Sequence, residues 1–340
     1  MNHITGKPQA LKQVNLSAVR GAIKEKGSAT RAEIVDATKI SVTTVRKLLT
    51  EMLDNNEIVE SGFDESIGGR RAVRYEFKKN RFFGAALCMD EDKVHYFIAN
   101  ICGEIQESGI RPITDDISES LCSLLEELTS RIEIKSVGIG VPGVVNGLSY
   151  QKQTGLNGLE RYSIGEVIHH RFQIPVILEN DLNATTLGFG RNILKDSCKN
   201  LNLAYIHFGD ECLSAGFLSG GRLLRGSRNF VGELGLYPAD DFRTLDMFLA
   251  SPLSSEQYAL IVTKLFAGIC CILNPQSIAI AGEGFRRECL PMIRDNLEKS
   301  LPAEMVAELI LAEDMWRDYS EGMAYLTAEQ IFADVKLIEG

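Results

Sequence analysis

Long apolar runs are missing from this chain. Nowhere in its 340 residues do 18 or more apolar side chains follow one another, so no membrane-spanning helix is expected. The opening stretch MNHITGKPQALKQ lacks an apolar segment, so no signal peptide is expected either. Paired cysteine spacings are also missing. The eight cysteines are scattered, Cys270 and Cys271 form the one close pair, and no CxxC occurs. That pattern argues against a zinc knuckle and against a disulfide framework. A cytoplasmic protein with reduced thiols is the expectation. Finally, the chain is not basic throughout, because its net charge is −10.

What is present is 45% apolar residues, enough for sizeable cores in two or three domains. The charge is also unevenly placed. Residues 1–50 hold nine lysines and arginines against three acids, a balance of +6 that leaves −16 for the remainder. A basic end on an acidic body is the footprint of a small nucleic-acid-binding module on a larger domain. A solvated basic helical face would give the same count, so charge alone does not decide.

The N-terminal pattern is more specific. Leu16, Val19 and Ile23 fall at helical spacing, and Gly27 is placed to stop that helix. Ile34, Val35, Ile40, Val45, Leu48, Leu49, Met52 and Leu53 then form an apolar stripe broken by a turn over 38–40. Two helices crossing through a short turn have this spacing, and Ser41 is placed to cap the second. Lys39 stands where such turns often carry glycine. Val42, Thr43, Thr44, Arg46 and Lys47 face outward on the second helix, and hydroxyls and cations near a helix N-terminus suit phosphate and base-edge contacts in a major groove. A three-helix bundle making protein contacts could use the same stripe. Residues 57–61 and 74–77 read as two strands of a hairpin with a tight turn at Gly68 and Gly69. Arg70, Arg71 and Arg74 put charge on or beside its tip, either as a β-wing reaching DNA or as an interdomain hinge. Together these elements read as a winged helix-turn-helix over residues 1–80.

The rest of the chain alternates strand and helix. Strands are expected at 82–87, 93–99, 101–108, 136–141, 175–179, 203–208, 214–219 and 277–281. Helices are expected at 117–131, 164–172, 255–273 and 286–301. Two α/β lobes with a cleft between them follow from that alternation. Their expected bounds are 81–195 with a returning C-terminal helix at 319–335, and 196–318.

Four segments of this body, VGIGVPGVV at 137–145, ILENDLNATTLGFG at 177–190, AGFLSGGRLLRG at 215–226 and VGELG at 231–235, resemble successive motifs of the ROK family of repressors, open reading frames and sugar kinases. Their order and spacing match across nearly the whole body, and the winged end, closing in GGRRAVRYEF, resembles the repressor branch. The resemblance implies an α/β fold like actin and hexokinase: two lobes on five-stranded sheets, hinged around a sugar and ATP cleft.

Carried onto this chain, the family's ATP-binding features are altered. A kinase would have an Asp at Ala86, glycines at Cys88 and Met89, and a Thr at Asp90. Glycines there let backbone N–H groups close on phosphate oxygens, and side chains obstruct that approach. The second phosphate turn reads Asp210, Glu211, Cys212, Leu213, Ser214 in place of a glycine-rich Gly-Thr-Gly-Ile-Gly. A unit charge pair at about 4 Å and an effective dielectric of about 20 costs roughly 4 kcal/mol, so these acids oppose a triphosphate. The adenosine loop Ala281, Gly282, Glu283, Gly284 carries another acid. Neither kinase activity nor any cofactor is therefore expected.

The sugar side is better kept. Asn180 and Asp181 match the family pair that binds sugar hydroxyls, Asp181 at the position of the kinase base. A carboxylate can bind two hydroxyls without doing chemistry. The alternative for Asp181 is an N-cap on the following helix. Glu233 matches a family glutamate that contacts sugar hydroxyls, with a surface carboxylate as its alternative, and Gly143 and Asn157 are candidates for the same pocket. Leu236 replaces a family histidine that binds sugar and zinc, and the cysteine-rich zinc loop is missing, so no metal is expected.

The resulting expectation is a DNA-binding regulator of carbohydrate genes, a repressor, controlled by a sugar or sugar derivative between the lobes. Its partners would be a double-stranded operator and a second copy, as a homodimer or dimer of dimers. Ile261, Val262, Leu265, Ile269 and Ile272 mark a candidate dimer face, or else simply pack within their own lobe. A sugar kinase with a divergent ATP site and a ligand-independent DNA-binding scaffold are the competing functions.

Overall fold

The computed structural model describes residues 7–63, 72–90, 92–114, 116–154, 158–193, 200–209 and 212–332. Its N-terminal elements are α1 (Lys7–Lys26), β1 (Ser28–Thr30), α2 (Arg31–Thr38), α3 (Val42–Asp54), β2 (Ile58–Phe63) and β3 (Val73–Phe77). The strands form an antiparallel sheet in the order β1, β3, β2. This is the winged helix-turn-helix. The first helix starts at Lys7, well before its apolar stripe, and Leu16, Val19, Ala22 and Ile23 are buried on it. A capping box starts α2: Glu33 N–H donates to Thr30 Oγ1, and Thr30 N–H donates to the Glu33 carboxylate at 2.7 Å. Lys39 itself takes the left-handed backbone, with φ 58°, that glycine usually supplies at a helix end. Ser41 caps α3 by accepting from Thr44 N–H at 3.2 Å.

The first lobe holds β4 (Phe83–Asp90), β5 (Lys93–Asn100), β6 (Ile105–Pro112), α4 (Ile117–Arg131), β7 (Ile134–Val141), β8 (Val144–Asn146), β9 (Ser149–Thr154), β10 (Gly158–Tyr162), α5 (Ile164–Phe172), β11 (Val176–Asn180) and α6 (Asp181–Ile193). Its five-stranded sheet runs β11, β7, β4, β5, β6, the first three parallel and the last two antiparallel. The second lobe holds β12 (Leu203–Phe208), β13 (Leu213–Ser219), β14 (Arg222–Leu223), α7 (Leu245–Leu249), α8 (Ser255–Leu273), β15 (Ser277–Ala281), α9 (Leu290–Ser300) and β16 (Glu308–Leu311). Its sheet is β14, β13, β12, β15, β16. The last helix, α10 (Met315–Gln330), returns to pack on α6, β4 and β7 of the first lobe.

Several boundaries differ from the sequence reading for local reasons. The Asn100 side chain accepts from the N–H groups of Cys102 and Glu104, closing a turn that delays β6 to Ile105. Pro291 lacks an N–H and its ring would clash one turn back, so α9 starts only at Leu290, after a 3₁₀ turn at Arg287–Cys289. Asp314 accepts from Arg317 N–H at 2.9 Å and so starts α10 at Met315 rather than 319. The three-stranded sheet β10, β9, β8 was not anticipated, because short polar strands carry little apolar alternation.

By length and composition alone α8 could cross a membrane, with mean hydropathy 1.5. Its Tyr258, Val262, Phe266 and Ile269 are nevertheless buried in the second lobe's core. The face marked for dimerisation therefore divides: Val262 and Ile269 pack inside, and Ile272 is exposed.

α6 is gripped from two sides. A Cβ on Gly188 would sit 1.9 Å from the Asp318 carbonyl oxygen, and one on Gly322 would sit 1.9 Å from the Ala184 carbonyl oxygen. The two backbones therefore touch, as only glycine allows. On its other side Leu182, Leu187 and Phe189 pack with Leu203, Tyr205 and Leu218 of the second lobe. The far end of α10 enters a third core, where Ala328 and Ile331 pack with Val19, Ile23 and Ile34 of the winged helix. Arg20 ion-pairs with Glu57 at 2.8 Å and lies over the Phe332 ring at 4.1 Å. Gly188→Val should overpack this crossing and cost about 1–3 kcal/mol or more, seen as a clear fall in Tm by calorimetry. An unchanged Tm would mean that the helices can part freely.

Candidate functional site

The segment after β7, strand β11, the start of α6, the start of β13 and the loop after β14 border a cavity of about 550 Å³ between the lobes. Gly143, Asn180, Asp181 and Glu233 all line it, together with Arg225 and Asn229. Asn157, and the wing arginines Arg70 and Arg71, lie outside the described residues.

Gly143 has φ +119°, and a Cβ there would sit 2.3 Å from the Gln151 carbonyl oxygen. The turn therefore needs glycine, and its carbonyl accepts from Asn180 Nδ2 at 3.1 Å. The helix start assigns the cap differently from the sequence alternative. Asn180 Oδ1 accepts from Asn183 N–H at 3.0 Å and caps α6, while Asp181 is the first helical residue. Asp181 Oδ1 accepts from Leu182 N–H at 2.7 Å.

Asp181 is half-buried at the cavity wall but surrounded by protein. Burial pushes its carboxyl up to about 6; the bond from Leu182 opposes the rise and the nearby Glu233 charge adds to it. Glu233, on the far lobe and open to the cavity, is also pushed up, by burial first and Asp246 second. Asp246 in turn accepts from Leu213 N–H at 2.7 Å, which fixes α7 against β13.

Glu179 and Arg225 were passed over in the sequence. Glu179 is 3% exposed. Its Oε1 accepts from Asn180 N–H at 3.1 Å and from Asn183 Nδ2 at 2.9 Å. Its Oε2 accepts from Arg225 through both Nε, at 3.1 Å, and Nη2. The pair joins the lobes, and a second tie runs from Asn229 Nδ2 to the Val145 carbonyl at 2.7 Å. Glu179 is the buried member of the pair, whereas the Arg225 side chain stays 39% exposed along the cavity. The only sequence signal was position: both residues lie inside the motifs quoted above.

At the end of β4, Cys88 is buried and Met89 nearly so. Tyr319 of α10 packs beside Cys88, and its hydroxyl would lie 2.2 Å from a Cβ on Gly140. Burial pushes the Cys88 thiol well up. Leu236 is 57% exposed, and a short turn bridging Pro238 to Thr244 follows it. Among the described residues no three His, Cys, Asp or Glu side chains gather as a metal set.

On the winged helix, Thr43, Arg46 and Lys47 are exposed along α3. Thr44 is half-buried, and its Oγ1 lies 2.9 Å from Ser41 Oγ. Neither Arg46 nor Lys47 has an ion-pair partner among the described residues, whereas Lys12 pairs with Glu51 at 2.8 Å. Arg74 is turned inward, to Glu33 at 3.2 Å and the Ser28 carbonyl at 2.9 Å.

Two lobes on five-stranded mixed sheets, closing on a carboxylate-lined cavity and preceded by a winged helix, place the chain in the actin- and hexokinase-like class. Residues 95–247 match the ROK family. It is 28% identical over 250 residues to a xylose repressor of Caldicellulosiruptor bescii, covering 68% of this chain and 60% of that one. It is 21% identical over 243 residues to the DNA-binding transcriptional dual regulator NagC of Escherichia coli, covering 68% and 58%. The match spans about 60% of the length of these curated relatives. A solved ROK family transcriptional regulator, a homologue of the E. coli MLC protein, superposes with TM-score 0.73 over 95% of this chain and 98% of that one, at 18% identity. A ROK hexokinase from Thermus thermophilus superposes with TM-score 0.58 over 72% and 97%, also at 18% identity.

The raised Asp181 carboxyl has a stability consequence. Its folded pKa, about 6, lies above the ordinary value, so the folded state holds more protons between about pH 4 and 6 and loses stability as pH rises through that window. Asp181→Asn should therefore raise stability at pH 7.5 by on the order of 1–2 kcal/mol, read as a higher Tm, and leave Tm nearly unchanged at pH 4. Equal shifts at both pH values would contradict the burial argument.

Proposed function

We propose that this chain is a cytoplasmic DNA-binding transcriptional regulator, a repressor of carbohydrate genes, released by a sugar or sugar derivative bound between its lobes. The observation that carries this reading is one continuous packing route. It starts at Asp181 on the cavity wall, runs through α6 to α10 at Gly188 and Gly322, and ends in the winged-helix core at Ala328 and Ile331. Relatives called xylose repressor and N-acetylglucosamine repressor support the function class.

In this reading Asn180, Asp181, Glu233 and the Gly143 turn hold sugar hydroxyls, with Asn157 as a further candidate. Thr43, Thr44, Arg46 and Lys47 enter the major groove, and Arg70 and Arg71 follow the backbone from the wing. A homodimer or dimer of dimers reads half-sites about 34 Å apart. A ligand that favours the DNA-incompetent arrangement must weaken operator affinity by its own ratio of affinities for the two states. ATP-dependent turnover is not part of this function, because the Cys88, Met89 and Tyr319 side chains stand where phosphate needs open backbone.

One observation favours a second reading, a sugar kinase with a divergent ATP site: a carboxyl near 6 beside a sugar pocket is suited to act as a general base. Coupled assays with ATP, Mg²⁺ and a sugar panel separate the two, and phosphorylation that depends on Asp181 would overturn the regulator reading.

Two variants test the division of labour. Arg46→Ala should weaken operator binding by about tenfold or more at moderate salt, measured by fluorescence anisotropy. Asp181→Ala should abolish release by the effector and keep operator affinity within about twofold, since Asn180 supplies the helix cap. Loss of DNA binding in the second variant would place Asp181 in the scaffold.

A further inference from the structure

We infer that Val42 reads sequence: its side chain covers the C5-methyl group of a thymine in the major groove, one thymine per winged helix. The inference rests on the DNA-binding reading above and names what that surface recognises.

Val42 departs from the rule that shapes the rest of α3. Val45, Leu48, Leu49 and Met52 are buried on one stripe, and Leu53 is partly covered. Val42 is 56% exposed. Less than half of it is covered, so the fold gains little from its apolar surface. A β-branched residue is also a poorer helix former than alanine, because its χ1 is restricted against the preceding turn. The first turn does not depend on it either, since Ser41 supplies the cap by accepting from Thr44 N–H.

Single exposed apolar residues are ordinary on a protein surface. What sets this one apart is where it stands. Val42 is the first residue of α3, and Arg46, one turn on, lies on the same face. With Arg31 and Asp36 of α2 and Tyr75 of β3, the two border an open concavity of about 810 Å³. Thr43, Arg46 and Lys47, the exposed residues around Val42 on the helix, are all polar or charged.

The floor of a major groove offers hydrogen-bonding edges and one apolar group, the thymine methyl. Polar side chains satisfy the edges. A side chain with neither donor nor acceptor gains there by covering the methyl; against any other edge it would strip water from a polar group and leave that group unpaired. Thymine also carries an acceptor, O4, beside its methyl, which suits Arg46 and Lys47 because both are donors only. Cytosine carries a donor there, so thymine is the expected base rather than 5-methylcytosine.

The probe is the duplex that the full chain selects from a random-sequence pool. Each dT in it is replaced in turn by dU, which removes the methyl and nothing else, and affinity is read by fluorescence anisotropy. One position per winged helix should lose about threefold to fivefold, the effect of leaving one methyl group uncovered. The ratio of dT to dU affinity should hold as NaCl is raised, because a methyl contact releases no counterion. Val42→Ser should keep the Tm of the unaltered chain and bind the dT and dU duplexes within about 1.5-fold of each other. 5-Methyl-dC opposite dG at that position should bind more weakly than dT. The dU series uses the unaltered chain, so it decides whether or not the variant folds. The inference is overturned if no dU weakens binding, if Val42→Ser retains the dU loss, or if 5-methyl-dC binds as tightly as dT. A pool that yields no selected duplex would sink the DNA-binding reading itself, and this inference with it.

Discussion

The backbone contact between α6 and α10 is the constraint on which the rest depends. Two glycines, Gly188 and Gly322, let each helix approach the other's carbonyls more closely than any side chain would allow. Helices so close cannot slide without breaking contact along their whole length, because packed interiors resist small displacements. α6 and α10 are therefore held as one packed unit. That turn carries Asn180 and Asp181, and its opposite face is packed into the second lobe. α10 leads from the crossing to the winged helix, where its last turns are part of the core.

A second device holds the cavity in shape. The Arg225 to Glu179 pair and the Asn229 to Val145 bond both cross from one lobe to the other. A buried carboxylate with four donors is well satisfied, and losing any one of them is costly. The cleft thus has a fixed floor, beside which Asp181 and Glu233 approach from opposite lobes. Burial raises both carboxyls. A protein that keeps such groups bears a stability cost at neutral pH.

Much of this was legible from local pattern. The apolar stripes of α3 and α8, the cap at Ser41 and the ordering of strands needed only spacing. The motifs carrying Gly143, Asn180, Asp181 and Glu233 placed four cavity residues before any coordinates. Other features were hidden because their signal is not local. The cap went to Asn180 instead of Asp181, a difference of one residue that depends on where the strand releases the chain. Arg74 read as a wing cation, yet the antiparallel pairing of β1 with β3 turns it onto Glu33 and Ser28. The turn at Asn100 and the 3₁₀ start of α9 shifted two boundaries through single side chains.

The sequence by itself determined the class: a basic winged helix ahead of two α/β lobes. That follows from periodicity and from the placing of charge, which the chain carries wherever it folds. Tertiary structure alone decided which groups meet. Glu179 and Arg225 are 46 residues apart, and Gly188 and Gly322 lie on helices separated by the whole second lobe. Nothing in either neighbourhood announces the partner, because a contact between distant segments is a property of the packed lobes. The make-up of the cavity and the packing that joins α6, α10 and the winged helix were set at that level.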